Sequence, residues 1–205
     1  MLGYSFFAAA RTFGLQYAQT AYHLPHTSAT GMLGLLGIGA LAGVWSGGKL
    51  GDRLPERGHL KGRVWVGTAF FWVTVFLFFF GFYFQILWLS IVLFIMSAFS
   101  LGVVNPPLDA ARLDIVHPVL WGRAESVRTI FRNLGESLAP IGFGWLVGIL
   151  GNGATGLRNG FLMMLIPLAI AGSLSLITIK TYLPDVAAAT AYREKTMNRE
   201  KQQNQ

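Results

Sequence analysis

Apolar residues fall in six long blocks, at roughly residues 1–22, 28–50, 63–83, 86–108, 124–150 and 158–182, each parted from the next by a short polar stretch. About 20 apolar residues are needed to cross a bilayer, and in lipid each such segment must satisfy its own backbone polar groups. The pattern therefore predicts an all-α membrane protein with six transmembrane helices. The start, MLGYSFFAAARTF, has no positive leader and carries Arg11 within its apolar stretch, so the first segment is expected to stay in the membrane. Residues 1–184 read as one six-span bundle and residues 185–205 as a polar tail, disordered except for a short surface helix at its beginning.

Lys and Arg set the orientation. The connection after the second block holds Lys49, Arg53, Arg57, Lys61 and Arg63, the one after the fourth Arg112 and Arg123, and the tail Lys180, Arg193, Lys195, Arg199 and Lys201. The connections near 23–27 and 84–86 hold none, and the one near 151–158 ends in a single Arg158. By the positive-inside rule both termini are expected in the cytoplasm, with the chain in the inner membrane and the lipid bilayer as its first partner.

Composition agrees. The 205 residues are 53% hydrophobic and 12% charged, with mean hydropathy +0.51, too apolar for a soluble domain. The formal charge of +7 forms no stripe along a soluble surface, so no nucleic-acid partner is expected. The chain has no Cys, which excludes disulfides and thiolate chemistry.

The blocks differ in kind. The third is aromatic all round, from Phe70 to Phe84, as suits a lipid-facing peripheral helix. The second places Gly39, Gly43 and Gly47 four apart, a spacing that lets a neighbouring backbone approach, and it is expected to pack on a helix and not on lipid.

Charges inside spans mark pathways, pairs or hinges. In the first block Tyr4, Ser5, Arg11, Thr12, Gln16, Gln19, Tyr22 and His23 share an arc of about 140° at 100° per residue. Arg11, Gln16, Gln19 and Tyr22 are accordingly candidate substrate ligands, joined by Asn105 of the fourth block, with snorkelling or pairing of Arg11 as the plain structural reading. In the fifth block Glu125, Arg128, Arg132 and Glu136 share about 80°, with Val127, Ile130, Phe131, Leu134 and Leu138 opposite. Glu125 with Arg128, and Arg132 with Glu136, are expected to pair along the helix. Glu136, the deepest, is the candidate proton carrier. Asn105-Pro106-Pro107 is expected to end the fourth helix, leaving Asp109, Arg112 and Asp114 at its cytoplasmic edge.

Other motifs carry no chemistry. Gly37-Ile38-Gly39-Ala40-Leu41-Ala42 fits a dinucleotide fingerprint but lies inside an apolar span with no preceding strand. His23 and His26 have no carboxylate beside them and make a poor metal site. No nucleophile elbow, zincin or P-loop pattern occurs, so an enzyme is not expected, nor a cofactor.

The segment Gly48-Lys49-Leu50-Gly51-Asp52-Arg53, followed by Arg57, resembles the loop between the second and third helices of major facilitator superfamily transporters, with Pro55 and Glu56 where that pattern has Gly and a basic residue. The segment from Asn105 to Leu146 is similar to the later half of such proteins, Spinster-like members among them. The resemblance covers nearly all of residues 1–184. It implies the C-terminal six-helix half of a secondary transporter working by alternating access, with an N-terminal half or a second copy as partner. It also implies a gating network in which Asp52 and Arg53 meet Asp109 or Asp114. A small solute, anionic or amphipathic, would then be the substrate. The competing expectation is a non-transporting membrane subunit or an inactive gene fragment.

Overall fold

The computed structural model describes residues 2–56, 61–151 and 153–203. Arg57 and the side chains of Tyr4, Pro55, Arg193, Lys195, Arg199 and Lys201 lie outside the described residues. Six long helices follow one another: α1 (Leu2–Tyr22), α2 (His26–Glu56), α3 (Gly62–Phe84), α4 (Leu87–Asp114), α5 (Trp121–Leu150) and α6 (Gly153–Gln203), with a 3-10 turn at Pro118–Leu120. By length and composition α2, α3, α4 and the Gly153–Tyr192 part of α6 are able to cross a membrane. The other two, α1 and α5, carry the polar arcs seen in the sequence.

Tight turns reverse the chain between helices. His23 and Gln85 take left-handed backbone conformations just past α1 and α3, a common helix stop. The next helices then start at once, with Ala29 N–H donating to Pro25 and Ser90 N–H to Ile86. Between α5 and α6 the reversal uses Gly151 (φ 108°) and Gly153 (φ 79°), where a side chain would be strained.

The central helix is α4, which buries Phe94, Ser97, Ala98, Leu101 to Val104, Pro107 and Ala111. It packs most extensively on α2 and α3, while α1 packs on α5 and α6, and α3 also meets α6. Exchanging α1, α2, α3 for α4, α5, α6 carries these pairings onto one another, the exception being α1–α2, whose packing has no counterpart of like extent between α4 and α5. The α2–α4 contact maps to α1–α5, α3–α4 to α1–α6, and α2–α3 to α5–α6, while α3–α6 maps to itself.

At the centre of the aromatic core, Tyr17 lies against Phe82, Phe94 and Phe161, at ring distances of 5.3, 6.5 and 5.7 Å. Hydroxyls tie the helices further: Thr68 meets Ser175 at 2.9 Å, and Ser90 donates to the Gly81 carbonyl at 2.9 Å.

Several expectations need correction. Helix α4 does not end at Asn105-Pro106-Pro107 but runs through both prolines to Asp114. Where Pro107 removes a donor, Gly47 of α2 lies against the freed carbonyl of Val103. Helix α2 is two-faced: Gly39, Gly43 and Gly47 are closed against α4, while Ile38, Leu41 and Trp45 are exposed. Helix α3 is two-faced as well, burying Phe78 and Phe82 and exposing Phe76, Phe79 and Phe80. Residues 185–203 are helical, an unbroken continuation of α6 through Pro184. At 1.5 Å per residue that helix is about 76 Å long, over twice the ~30 Å hydrocarbon core, so much of it must project beyond any bilayer.

Candidate functional site

The ion-paired side chains of α3, α4 and the start of α5 gather at one end of the bundle. Asp109 and Arg112 stand one turn apart on α4, and Glu125 and Arg128 one turn apart on α5. The two helices bring opposite signs together: Arg112 reaches Glu125 at 2.6 Å, and Arg128 reaches Asp109 at 2.9 Å and Glu125 at 3.0 Å. Glu125 thus bridges two guanidinium groups. Further along α5, Arg132 and Glu136 pair at 3.5 Å.

Beside this quartet, Asp114 closes α4 against two other elements. Arg63, at the start of α3, donates to its carboxylate at 2.6 Å, and the Tyr182 hydroxyl of α6 donates to the same oxygen at 2.5 Å. Arg63 also donates from Nε to the Gly51 carbonyl at 2.9 Å, which draws in the end of α2. Four helices meet on one carboxylate and one guanidinium.

A cavity of about 620 Å³, within the ordinary range for small-molecule sites, opens next to the quartet. Its walls are largely apolar, with Phe7, Val44, Phe71, Leu101 and Leu174 among them. Its polar end is formed by Asn105, Asp109, Arg112 and Arg128. Apolar walls with a few convergent polar groups at one end can hold a solute and fix its orientation.

The structure thus brings together Asn105, Asp109, Arg112 and Arg128 at the cavity, and Glu125 directly behind them. Arg11, Gln16, Gln19 and Tyr22 do not line it. Arg11 and Gln16 are exposed on α1, and Arg11 has no ion pair among the described residues. Glu136 is engaged by Arg132, not by Arg11. Asp52 is largely exposed and only reaches Arg63 at 3.9 Å, and Arg53 is exposed, with no ion pair among the described residues. The acid at the end of α4 is held by Arg63 in place of Arg53.

Arg63 and Tyr182 were not singled out by sequence reasoning. A signal existed for the first: Arg63 is the last charged residue before Asp109. A cation at the entry to so long an uncharged run has to find its acid at the same end of the bundle. Nothing in the sequence distinguishes Tyr182.

On α5 the arrangement is apolar outward and charged inward. Ile130, Leu138, Ile141 and Trp145 are 59–72% exposed, whereas the Arg128 side chain is 25% exposed and those of Arg132 and Glu136 about one-third. Among the described residues no group of three or more His, Cys, Asp or Glu could hold a metal ion. The chain matches no protein-family model and no curated protein.

Proposed function

We propose that the chain is one six-helix half of a secondary transporter of major facilitator type. In this reading all six helices span the inner membrane, both termini are cytoplasmic, and a small solute, anionic or amphipathic, crosses by alternating access once a second half is supplied. The observation that carries the reading is the exchange of helix contacts between α1–α3 and α4–α6. Three reversals of direction separate α1 from α4, an odd number, so the two three-helix units are inverted relative to each other in one bundle. Inverted three-helix repeats within a six-helix half are how such transporters are built.

Two further features support it. The outward apolar face of α5 suits lipid, and its inward charges meet partners on α4. Conversely, Arg11 is exposed on the middle of α1, and a bare cation facing hydrocarbon is costly, so that face calls for water or a partner. A missing half would supply both. The ion pairs joining α4 with α5, and α3 with α4, are of the kind that can be made in one state and broken in another.

The test is solute uptake and efflux in sealed vesicles, with a panel of anionic and amphipathic compounds. The chain is compared alone, with a candidate partner half, and as Arg11→Ala. Transport that requires the partner and falls on removal of Arg11 supports the reading. No transport in any combination, from protein shown to be helical and monodisperse, leaves the non-transporting subunit or inactive fragment.

A further inference from the structure

The opposite end of the bundle holds a second polar cluster. Tyr17 of α1 is only 2% exposed, enclosed by Phe82, Phe94 and Phe161, and its hydroxyl is buried without a hydrogen-bond partner. One and a half turns on, the ring of Tyr22 stands edge-on to that of Tyr17 at 5.8 Å, and the two buried hydroxyls are near enough to interact with each other although neither makes a well-aligned hydrogen bond. Arg158 of α6 lies three residues before Phe161, on the turn adjoining the one that touches Tyr17. Its guanidinium is close enough to act electrostatically on the Tyr17 phenol, and its Nε is buried with no hydrogen-bond partner.

Buried donors are nearly always paired, and a partly buried cation needs compensating charge. None is supplied by the chain at this end. The nine acidic residues are Asp52, Glu56, Asp109, Asp114, Glu125, Glu136, Asp185, Glu194 and Glu200. The first five belong to the charged end, the last three to the far part of α6, and Glu136 is paired with Arg132. A water molecule could accept from the phenols, but an anion would also match the charge of the partly buried Arg158.

We propose that Tyr17, Tyr22 and Arg158 form a binding site for a small anion, at the end of the bundle remote from the charge network. Two phenol O–H groups and one guanidinium N–H supply donors from α1 and α6, and the bound anion links those helices. Chloride, a free oxyanion or the phosphate of a lipid headgroup offers the required chemistry. The site is separate from the cavity and does not depend on whether the chain transports.

The full chain in nanodiscs of zwitterionic lipid provides the test. Chloride is titrated against gluconate at constant ionic strength and followed by chloride NMR line width; inorganic phosphate is titrated by calorimetry. Saturable binding is expected, weakened about tenfold or more in Arg158→Gln and in Tyr17→Phe, as for loss of a hydrogen bond to a charged group. Tyr17→Phe keeps the ring that packs in the core and so separates loss of the site from loss of the fold. If neither free anion binds, but anionic phosphatidylglycerol raises the unfolding midpoint of the natural chain and not of Arg158→Gln, the ligand is the lipid phosphate. Helical, monodisperse protein that responds to none of the three, or binding unchanged in both variants, overturns the proposal.

Discussion

The α-carbon of Gly47 lies against the carbonyl of Val103, so closely that a β-carbon there would stand 2.5 Å from that oxygen. In a regular helix the Val103 carbonyl accepts from the N–H four residues on, and that residue is Pro107. The same holds one step earlier, where Pro106 frees the carbonyl of Gly102. Helix α2 therefore presses Gly47 on the turn of α4 where Pro107 has removed a donor. Close Cα–H···O contacts of this kind recur at helix interfaces and partly satisfy such carbonyls.

Enlarging the glycines of α2 that are closed against α4 should separate the two helices. A β-carbon at Gly43 would collide with the Phe99 carbonyl, which is backbone and cannot swing away. Gly43→Ala is expected to destabilise by about 1–3 kcal/mol, the usual range for overpacking. At Gly37 a β-carbon meets nothing within 4 Å. Gly37→Ala should be neutral or stabilising by up to about 1 kcal/mol, since Ala is the better helix former. Thermal unfolding of both variants in detergent checks the contrast, and equal midpoints would mean that α2 and α4 do not pack as described.

The junction at Asp114 should act as one unit. Tyr182→Phe removes a single hydrogen bond to a carboxylate and is expected to destabilise by about 1–2 kcal/mol. Asp114→Asn weakens the contacts of both Arg63 and Tyr182, an effect of about 1–3 kcal/mol, between those of exposed and buried pairs. Because Arg63 and Asp114 touch at 2.6 Å, the double variant Arg63→Gln with Asp114→Asn should be less harmful than the sum of its parts. Strict additivity in a double-mutant cycle would show that the pair contributes nothing. Hydrogen exchange supplies a second readout: loss of the Tyr182 anchor should speed exchange in residues 183–192, where Val186 packs on the same cluster.

The two glutamates of α5 are predicted to differ. Glu125 separates Arg112 from Arg128, so Glu125→Gln leaves two cations adjacent with less to hold them apart. Glu136 makes only a longer contact with Arg132, and both of those side chains are about one-third exposed. The Glu125→Gln variant should unfold at clearly lower temperature than Glu136→Gln. If the order is reversed, the quartet between α4 and α5 is not what holds that end together.

Element positions were legible in the sequence because block length against bilayer thickness leaves little freedom. Each of the first five helices covers its expected block, with ends shifted by a few residues. The ends were less legible: a proline pair reads as a stop, yet α4 continues through it with a glycine of α2, 60 residues earlier in the chain than Pro107, against one freed carbonyl. The pairing of Glu125 with Arg128 and of Arg132 with Glu136 could be read from spacing, because those contacts lie on one helix. Contacts of Glu125 with Arg112, or of Asp114 with Arg63, depend on which helices become neighbours, and periodicity within one helix is silent on that. The polar arc of α1 was visible too, but not which part of it would be covered. Tyr22 turns toward Tyr17 while Arg11 stays exposed.

The absence of cysteine makes one last prediction direct, because single cysteines can be introduced without first removing any. Ile141, on the outer face of α5, is 72% exposed in the bundle, yet in a membrane it should face lipid. A cysteine at position 141 should resist a charged, membrane-impermeant maleimide in intact membranes and react after solubilisation and unfolding. At Asp52, whose side chain is 74% exposed, a cysteine should react only when the reagent reaches the cytoplasmic side. At Ile86, 58% exposed in the turn between α3 and α4, it should react only from the opposite side. A cysteine at Arg11 separates the alternatives most sharply: it should react in the chain alone, where that face meets water, and be protected when a partner half is present. Labelling of position 141 in intact membranes would mean that α5 does not face lipid, and labelling of 52 and 86 from the same side would rule out the alternating topology on which the half-transporter reading depends.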